Sequence, residues 1–247
     1  MVDEKTLGAV PSAACRIIAV TGTDTEIGKT VITMALAVRA LALGLRVAAM
    51  KPIESGMTSR ANSELSDAER LARAAGADDD LKMVGPIVLD EPLAPMVAAL
   101  RSGVTIDLTV LDRARDSLSV ERDLLLVEGA GGILVPITRE YSFANLFKRW
   151  DADVIVVSGN RLGVLNHTLL TVRAAESEGL TVKAVILHDI SGGEPTIAEA
   201  TNYDALVALL PNYRIHRFPW IDRLDDSSAL SAAAAGAGLD DVLLPKR

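Results

Sequence analysis

Cysteine, histidine and aromatic residues are scarce in this chain. The one cysteine, Cys15, excludes an intrachain disulfide framework and a multi-cysteine zinc site. Three histidines leave little for a histidine-based metal centre. Two Trp, three Tyr and three Phe cannot build a stacking platform for single-stranded nucleic acid. The core must therefore rest on Ala, Val, Leu and Ile. Positive charge is in deficit: 25 Lys and Arg face 33 Asp and Glu, a net charge of −8. That balance argues against nucleic acid or an anionic membrane as partner. Long apolar runs are missing too. The best candidate, Val31 to Met50, carries Arg39 and Arg46 and falls short of a membrane span. Met1 to Lys5 is acidic, and no signal-like apolar core follows. These absences predict a cytoplasmic protein.

What is present suits a folded domain. The 247 residues are 49% hydrophobic and 23% charged, which is ordinary for one large domain. Residues 1–15 read as an N-terminal extension, and residues 16–247 as one domain. Short apolar runs alternate with helix-period segments. Arg16–Thr21, Arg46–Met50, Asp123–Val127, Asp153–Val157 and Val182–Leu187 read as strands. Continuous apolar runs of this kind suit strands buried on both faces of a parallel sheet. Thr30–Leu43, Ser66–Ala75, Asp107–Val120, Leu165–Glu178, Thr196–Leu210 and the Ala-rich 229–237 segment read as helices. The predicted class is α/β, a mostly parallel, doubly wound sheet with helices on both faces.

The stretch Val20–Thr30 (VTGTDTEIGKT) lies between a predicted strand and a predicted helix. That is the setting of a phosphate-binding P-loop. Backbone N–H groups of Glu26, Ile27, Gly28 and Val31 would wrap phosphates at the helix N-terminus. Lys29 would reach the β- and γ-phosphates, and the Thr30 hydroxyl would bind Mg²⁺. The usual first Gly of G-x-x-x-x-G-K-T is Thr23 here, with Gly22 one place early. Glu128 reads as the end of the Leu124–Val127 strand, so its carboxylate would face the ligand crevice. The small residues Gly129, Ala130, Gly131 and Gly132 would let phosphate approach the backbone. Asp67 is a candidate second metal carboxylate, although alone it is a favourable first-turn acid. Asn166 reads as a helix cap.

In this order, VTGTDTEIGKT, Lys51–Gly56 (KPIESG), Ser66–Ala68, Glu91–Pro95 (EPLAP), Val127–Gly132 (VEGAGG), Gly163–Thr168 (GVLNHT) and Phe218–Trp220 resemble the motifs of the dethiobiotin synthetase family. They run from about residue 20 to 221. The resemblance implies an ATP-dependent ligase of biotin biosynthesis, converting 7,8-diaminononanoate, CO₂ and ATP to dethiobiotin, ADP and phosphate. It implies Lys51 and Lys29 as catalytic cations, and Thr25 and Ser55 as donors to carbamate or substrate. It implies Thr30, Asp67 and Glu128 as Mg²⁺ ligands. Asp189, Pro219, Trp220 and Ile221 map near the nucleotide base. Gly163, Asn166 and Tyr203 map onto the binding of the substrate's carboxylate tail, across the interface of a homodimer. The bland reading of Lys51 is a snorkelling surface lysine, of Tyr203 a packed helix residue. One departure stands out. The family commonly has Asn-Asp where this chain has His188-Asp189, and an imidazole cannot copy the amide's bidentate contact with adenine.

Three other readings are weaker. A glutamine-using cobyrinic acid diamide synthase would need a nucleophilic Cys in a further domain, and Cys15 precedes the first strand. A partitioning-type ATPase switch would carry an extra Lys early in its loop, and residues 21–27 contain none. A Ser-His-Asp hydrolase lacks its G-x-S-x-G elbow.

Overall fold

The computed structural model describes residues 15–57, 65–76 and 79–244. The rest of the extension, residues 1–14, lies outside them. Cys15 is half-buried against the core.

The strands are β1 (Arg16–Gly22), β2 (Val47–Met50), β3 (Ile53–Ser55), β4 (Ile87–Leu89), β5 (Leu124–Gly132), β6 (Asp153–Gly159), β7 (Val182–His188) and β8 (Ile215–Phe218). The helices are α1 (Lys29–Ala42), α2 (Asp67–Ala74), α3 (Leu81–Val84), α4 (Pro95–Ser102), α5 (Leu108–Ser119), α6 (Phe143–Arg149), α7 (Val164–Ser177), α8 (Ile197–Leu209), α9 (Ser227–Gly236) and α10 (Asp240–Leu243). Among the described residues the main sheet runs β2-β5-β1-β6-β7-β8, and its neighbouring strands are parallel. β3 and β4 form a separate parallel pair.

The continuous apolar runs are explained by burial on both faces. Along β5, Leu124 and Leu126 pack with α1 residues such as Ile32 and Leu36. Leu125 and Val127 point the other way, against Leu111, Phe143 and Phe147. Strands carrying such runs cannot expose either face. β1 sits centrally between β5 and β6, so the carboxyl ends of three strands frame one crevice.

Two boundaries differ from the sequence reading. β5 does not end at Glu128 but continues to Gly132. Pairing with β2 stops at Met50↔Val127, and the register with β1 shifts between Val20↔Glu128 and Gly22↔Gly132. Glu128 thus lies where the ladder opens. α7 is capped by Gly163, at φ 94°, and not by Asn166, which sits inside its first turn. The left-handed glycine turns the chain into the helix three residues early.

Candidate active site

β1 delivers the phosphate loop and α1 begins at Lys29. The displaced glycine has a steric reason. A Cβ built on Gly22 would lie 2.8 Å from Ile27 Cδ1 and 3.0 Å from the Asp24 carbonyl. The loop folds back on that residue, so the small residue is needed at 22. Lys29 is buried, and its Nζ donates to the Asp24 carbonyl at 2.7 Å. Burial, and then the nearby Lys51 charge, lower its pKa to about 8. An incoming phosphate would favour its charged form. Asp24 also accepts from Arg161 at 2.7 Å, tying the loop to the segment before α7.

Lys51 is no surface lysine: it is 5% exposed. Its ammonium lies between two carboxylates, bonding Glu128 Oε1 and meeting Asp67 Oδ2 at 3.1 Å. Burial opposes its charge, but Glu128 and Asp67 outweigh burial and hold its pKa above the ordinary lysine value. Lys51 is therefore held in its charged form. Thr30 Oγ1 donates to the same Glu128 Oε1 at 2.9 Å.

Sequence reading missed the residue that holds Asp67 in place. Glu54, buried on β3, accepts the first two N–H groups of α2, Asp67 N at 2.8 Å and Ala68 N at 3.2 Å. Ser66 caps the third, in a reciprocal box with Glu69. The signal that could have found Glu54 was a charged residue inside an otherwise apolar three-residue strand. Glu54→Ala should lower unfolding free energy by about 1–3 kcal/mol, because two helix-start N–H groups, one buried and one half-buried, lose their acceptor. Glu54→Gln, which keeps one acceptor oxygen, should lose less. Urea unfolding checks this; unchanged stability in Glu54→Ala would show that the contact is idle.

A cleft of about 870 Å³ gathers Thr25, Glu26, Gly28, Lys29, Thr30, Lys51, Ser55, Asp67, Glu128, Ala130 and Gly131. The EPLAP segment contributes Pro92 to Pro95 to its wall. Gly129 does not face this cleft: its missing side chain makes room for Phe147, 3.2 Å from a built Cβ. Val31 lines a smaller cavity next door with Thr30, Asp67 and Leu224. Asp189 and Trp220 line a separate cavity of about 190 Å³ with Asn160 and Arg217. Pro219 is exposed beside it, and Ile221 packs on the core. His188 is not a solvated loop residue. It ends β7, is 2% exposed, and its Nδ1 bonds the Ile27 carbonyl at 2.9 Å. Gly163 and Asn166 are exposed and do not line their own chain's cleft. The Tyr203 hydroxyl donates to the Ile215 carbonyl at 3.4 Å.

The donor set fits Mg²⁺. Among the described residues no group of three His, Cys, Asp or Glu has metal-binding geometry. Thr30, Asp67 and Glu128 instead offer one hydroxyl and two carboxylates, the hard oxygen set that Mg²⁺ takes together with phosphates and water. Glu128 Oε2 is buried with no hydrogen-bond partner among the described residues, an unsatisfied acceptor that a cation would satisfy.

A family model described as an AAA domain matches residues 16–228. The ATP-dependent dethiobiotin synthetase BioD of Thermodesulfovibrio yellowstonii is 36% identical over 214 residues, covering 83% of this chain and 89% of that protein. The protein of the same name from Anaeromyxobacter sp. (strain Fw109-5) is 40% identical over 169 residues, covering 68% and 74%. A plasmid partition protein from Borrelia burgdorferi B31, solved bound to AMPPNP, superposes with TM-score 0.54 at 13% identity, over 92% of this chain and 99% of that one. That likeness speaks for the fold alone. Fold and loop define a P-loop, nucleotide-using α/β protein. Within that class, the chain belongs to the ATP-dependent dethiobiotin synthetase family.

Proposed function

We propose that this chain closes the ureido ring of dethiobiotin from 7,8-diaminononanoate, CO₂ and ATP, with Mg²⁺, as a cytoplasmic homodimer. The observation that carries the reading is Lys51 held charged between Asp67 and Glu128, in one cleft with Lys29 and Thr30. The reaction joins two anions. One substrate amine first adds CO₂ to form a carbamate. A carbamate oxygen then takes the γ-phosphoryl group, releasing ADP. The second amine attacks the carbamate carbon, the C–O bond to phosphate breaks, and the amine loses its proton. Lys29 and Lys51 offset the negative charge that gathers as carbamate and γ-phosphate approach. Loop N–H groups hold the phosphates in line. Thr25 and Ser55 donate to the carbamate. Thr30, Asp67 and Glu128 would hold Mg²⁺, which supplies Lewis-acid stabilisation of phosphoryl charge. The cavity beside Asp189 and Trp220 is the proposed seat of the base. One incubation tests the whole reading: protein, diamine, bicarbonate and MgATP, followed by product mass. No mass corresponding to the cyclised product would overturn it. The partition-type ATPase alternative rests on a fold likeness at 13% identity.

The homodimer is supported by exposed apolar side chains around α7. Leu162, before α7, and Ile197, at the start of α8, are each 87% exposed, and Leu170 is exposed on α7 itself. The two segments adjoin, since Asn202 of α8 donates to the Arg161 carbonyl at 3.2 Å. Gly163 and Asn166 lie on this face and would reach the substrate tail in a second copy. Mixing Lys51→Met with Asn166→Ala subunits should then restore activity, because each heterodimer contains one intact site. Heterodimer formation is verified by mass. Verified heterodimers without recovered turnover would place each site within one chain.

A further inference from the structure

We propose that His188 is a positioning residue that fixes the phosphate loop from beneath, through the Ile27 carbonyl and the face of Gly28. The proposal rests on the reading that residues 23–30 hold the triphosphate. A carbonyl only accepts, so the Nδ1 that lies 2.9 Å from Ile27 O carries the proton, and Nε2 keeps the lone pair. That bond sets one peptide plane. The Ile27–Gly28 peptide is trans, as are the others described, so its C=O and N–H point in opposite directions. Turning the Ile27 carbonyl toward β7 aims the Gly28 N–H the other way, and Gly28 lines the cleft. The imidazole also presses on Gly28 itself. A Cβ built there would lie 2.2 Å from His188 Nδ1 and 2.3 Å from Cε1, and Gly28 has φ 88°. The loop therefore cannot slide toward the sheet.

The ring's own support is rigid. His188 pairs with Gly159 of β6 and with Phe218 of β8, and its carbonyl accepts Asn160 N at 2.7 Å. The Phe218 ring backs the imidazole at 5.7 Å between centroids. Burial pushes the imidazole pKa down, which the Ile27 contact and Asp189 only oppose, so the neutral donor form is favoured. Base reading is a poorer fit. His188 Nε2 is buried, and the ring does not line the cavity beside Asp189 and Trp220. The side chain that departs from the family pattern is thus turned toward the Ile27–Gly28 loop and does not line the cavity beside Asp189 and Trp220.

The test compares His188→Asn, His188→Gln and His188→Phe by kcat, KM and melting temperature with ATP, GTP and CTP. An Asn amide nitrogen stands where Nδ1 stands, a Gln nitrogen nearer Nε2, and Phe has no donor. Losing the bond should raise KM about 2- to 10-fold in the Gln and Phe variants, in parallel for all three nucleotides. His188→Asn should stay within about twofold of the wild type. A merely structural ring would lower the melting temperature without moving KM, and that result overturns the proposal. So does a change in the ATP:GTP:CTP ratio, which would make His188 a base reader, or an Asn variant as impaired as Phe. If His188→Phe does not fold, the Asn–Gln pair carries the comparison. Lys29→Ala separates this proposal from the reading beneath it. Wild-type nucleotide KM in Lys29→Ala would remove the loop as the phosphate site, and His188 with it. Weakened binding in Lys29→Ala, with unchanged KM in the His188 variants, would remove His188 alone.

Discussion

Replacing Lys51 with methionine should cut turnover by roughly 10²–10³-fold, the usual loss for one electrostatic contact aimed at developing charge. Methionine keeps the length of the side chain and removes only the ammonium. The consequence for the fold is specific. Asp67 and Glu128 would be left facing one another without their shared cation, Glu128 fully buried. Breaking a buried pair typically costs about 3–5 kcal/mol. A divalent cation can take over that neutralising role, so adding Mg²⁺ should raise the melting temperature of Lys51→Met more than that of the wild type. The pH dependence has a definite sign. The folded pKa of Lys51 lies above its unfolded value of 10.5. Its stabilisation is therefore fully present below about 10.5 and is lost only as pH rises through the folded value. The contribution of the Lys51 charge to wild-type stability should be flat from about pH 6 to 9. Steady-state turnover and melts across pH, with and without Mg²⁺, check each part. Near wild-type turnover would remove Lys51 from the chemistry.

Local patterns carried most of the framework. The strand–loop–helix around Gly28-Lys29-Thr30 could be read because the apolar run, the loop and the helix are contiguous. Asp67 and Asp107 were legible through their helix starts, since Ser66 and Asp107 cap locally. Elements that depend on distant partners were not legible. β3 and β4 have three residues each and exist only because they pair with one another. β8 reads IHRF, with two polar residues, because it is an edge strand and only Phe218 is fully buried. Glu128 reads as a strand end because the glycines after it look like a turn. The sheet instead carries them onward, with the register shift absorbing them. The His188–Ile27 contact spans 161 residues, and the identity of neither residue announces the other. The family motif points this position at the base, whereas the ring itself meets Ile27 and Gly28.

Glu128→Gln should be the most damaging substitution of equal size at this site. One oxygen, Oε1, already accepts from Thr30 and Lys51, while Oε2 is buried without a hydrogen-bond partner among the described residues. An amide cannot satisfy both sides. With its oxygen toward Thr30 and Lys51, its NH₂ occupies the Oε2 position and presents hydrogens where a cation would bind. Turned over, the NH₂ faces two donors, and the buried Lys51 loses its closest acceptor. Either orientation also removes one of the two negative charges that would attract Mg²⁺. The Mg²⁺ concentration needed for half-maximal turnover should rise about 10- to 100-fold, and saturating Mg²⁺ should restore only part of the activity. The rise in melting temperature that Mg²⁺ gives the protein without nucleotide should shrink in the same variant. A Mg²⁺ titration of turnover, paired with melts, separates two roles for the carboxylate. An unchanged Mg²⁺ dependence with reduced stability would mean that Glu128 serves Lys51 alone and that the metal is held by Thr30, Asp67 and the phosphates.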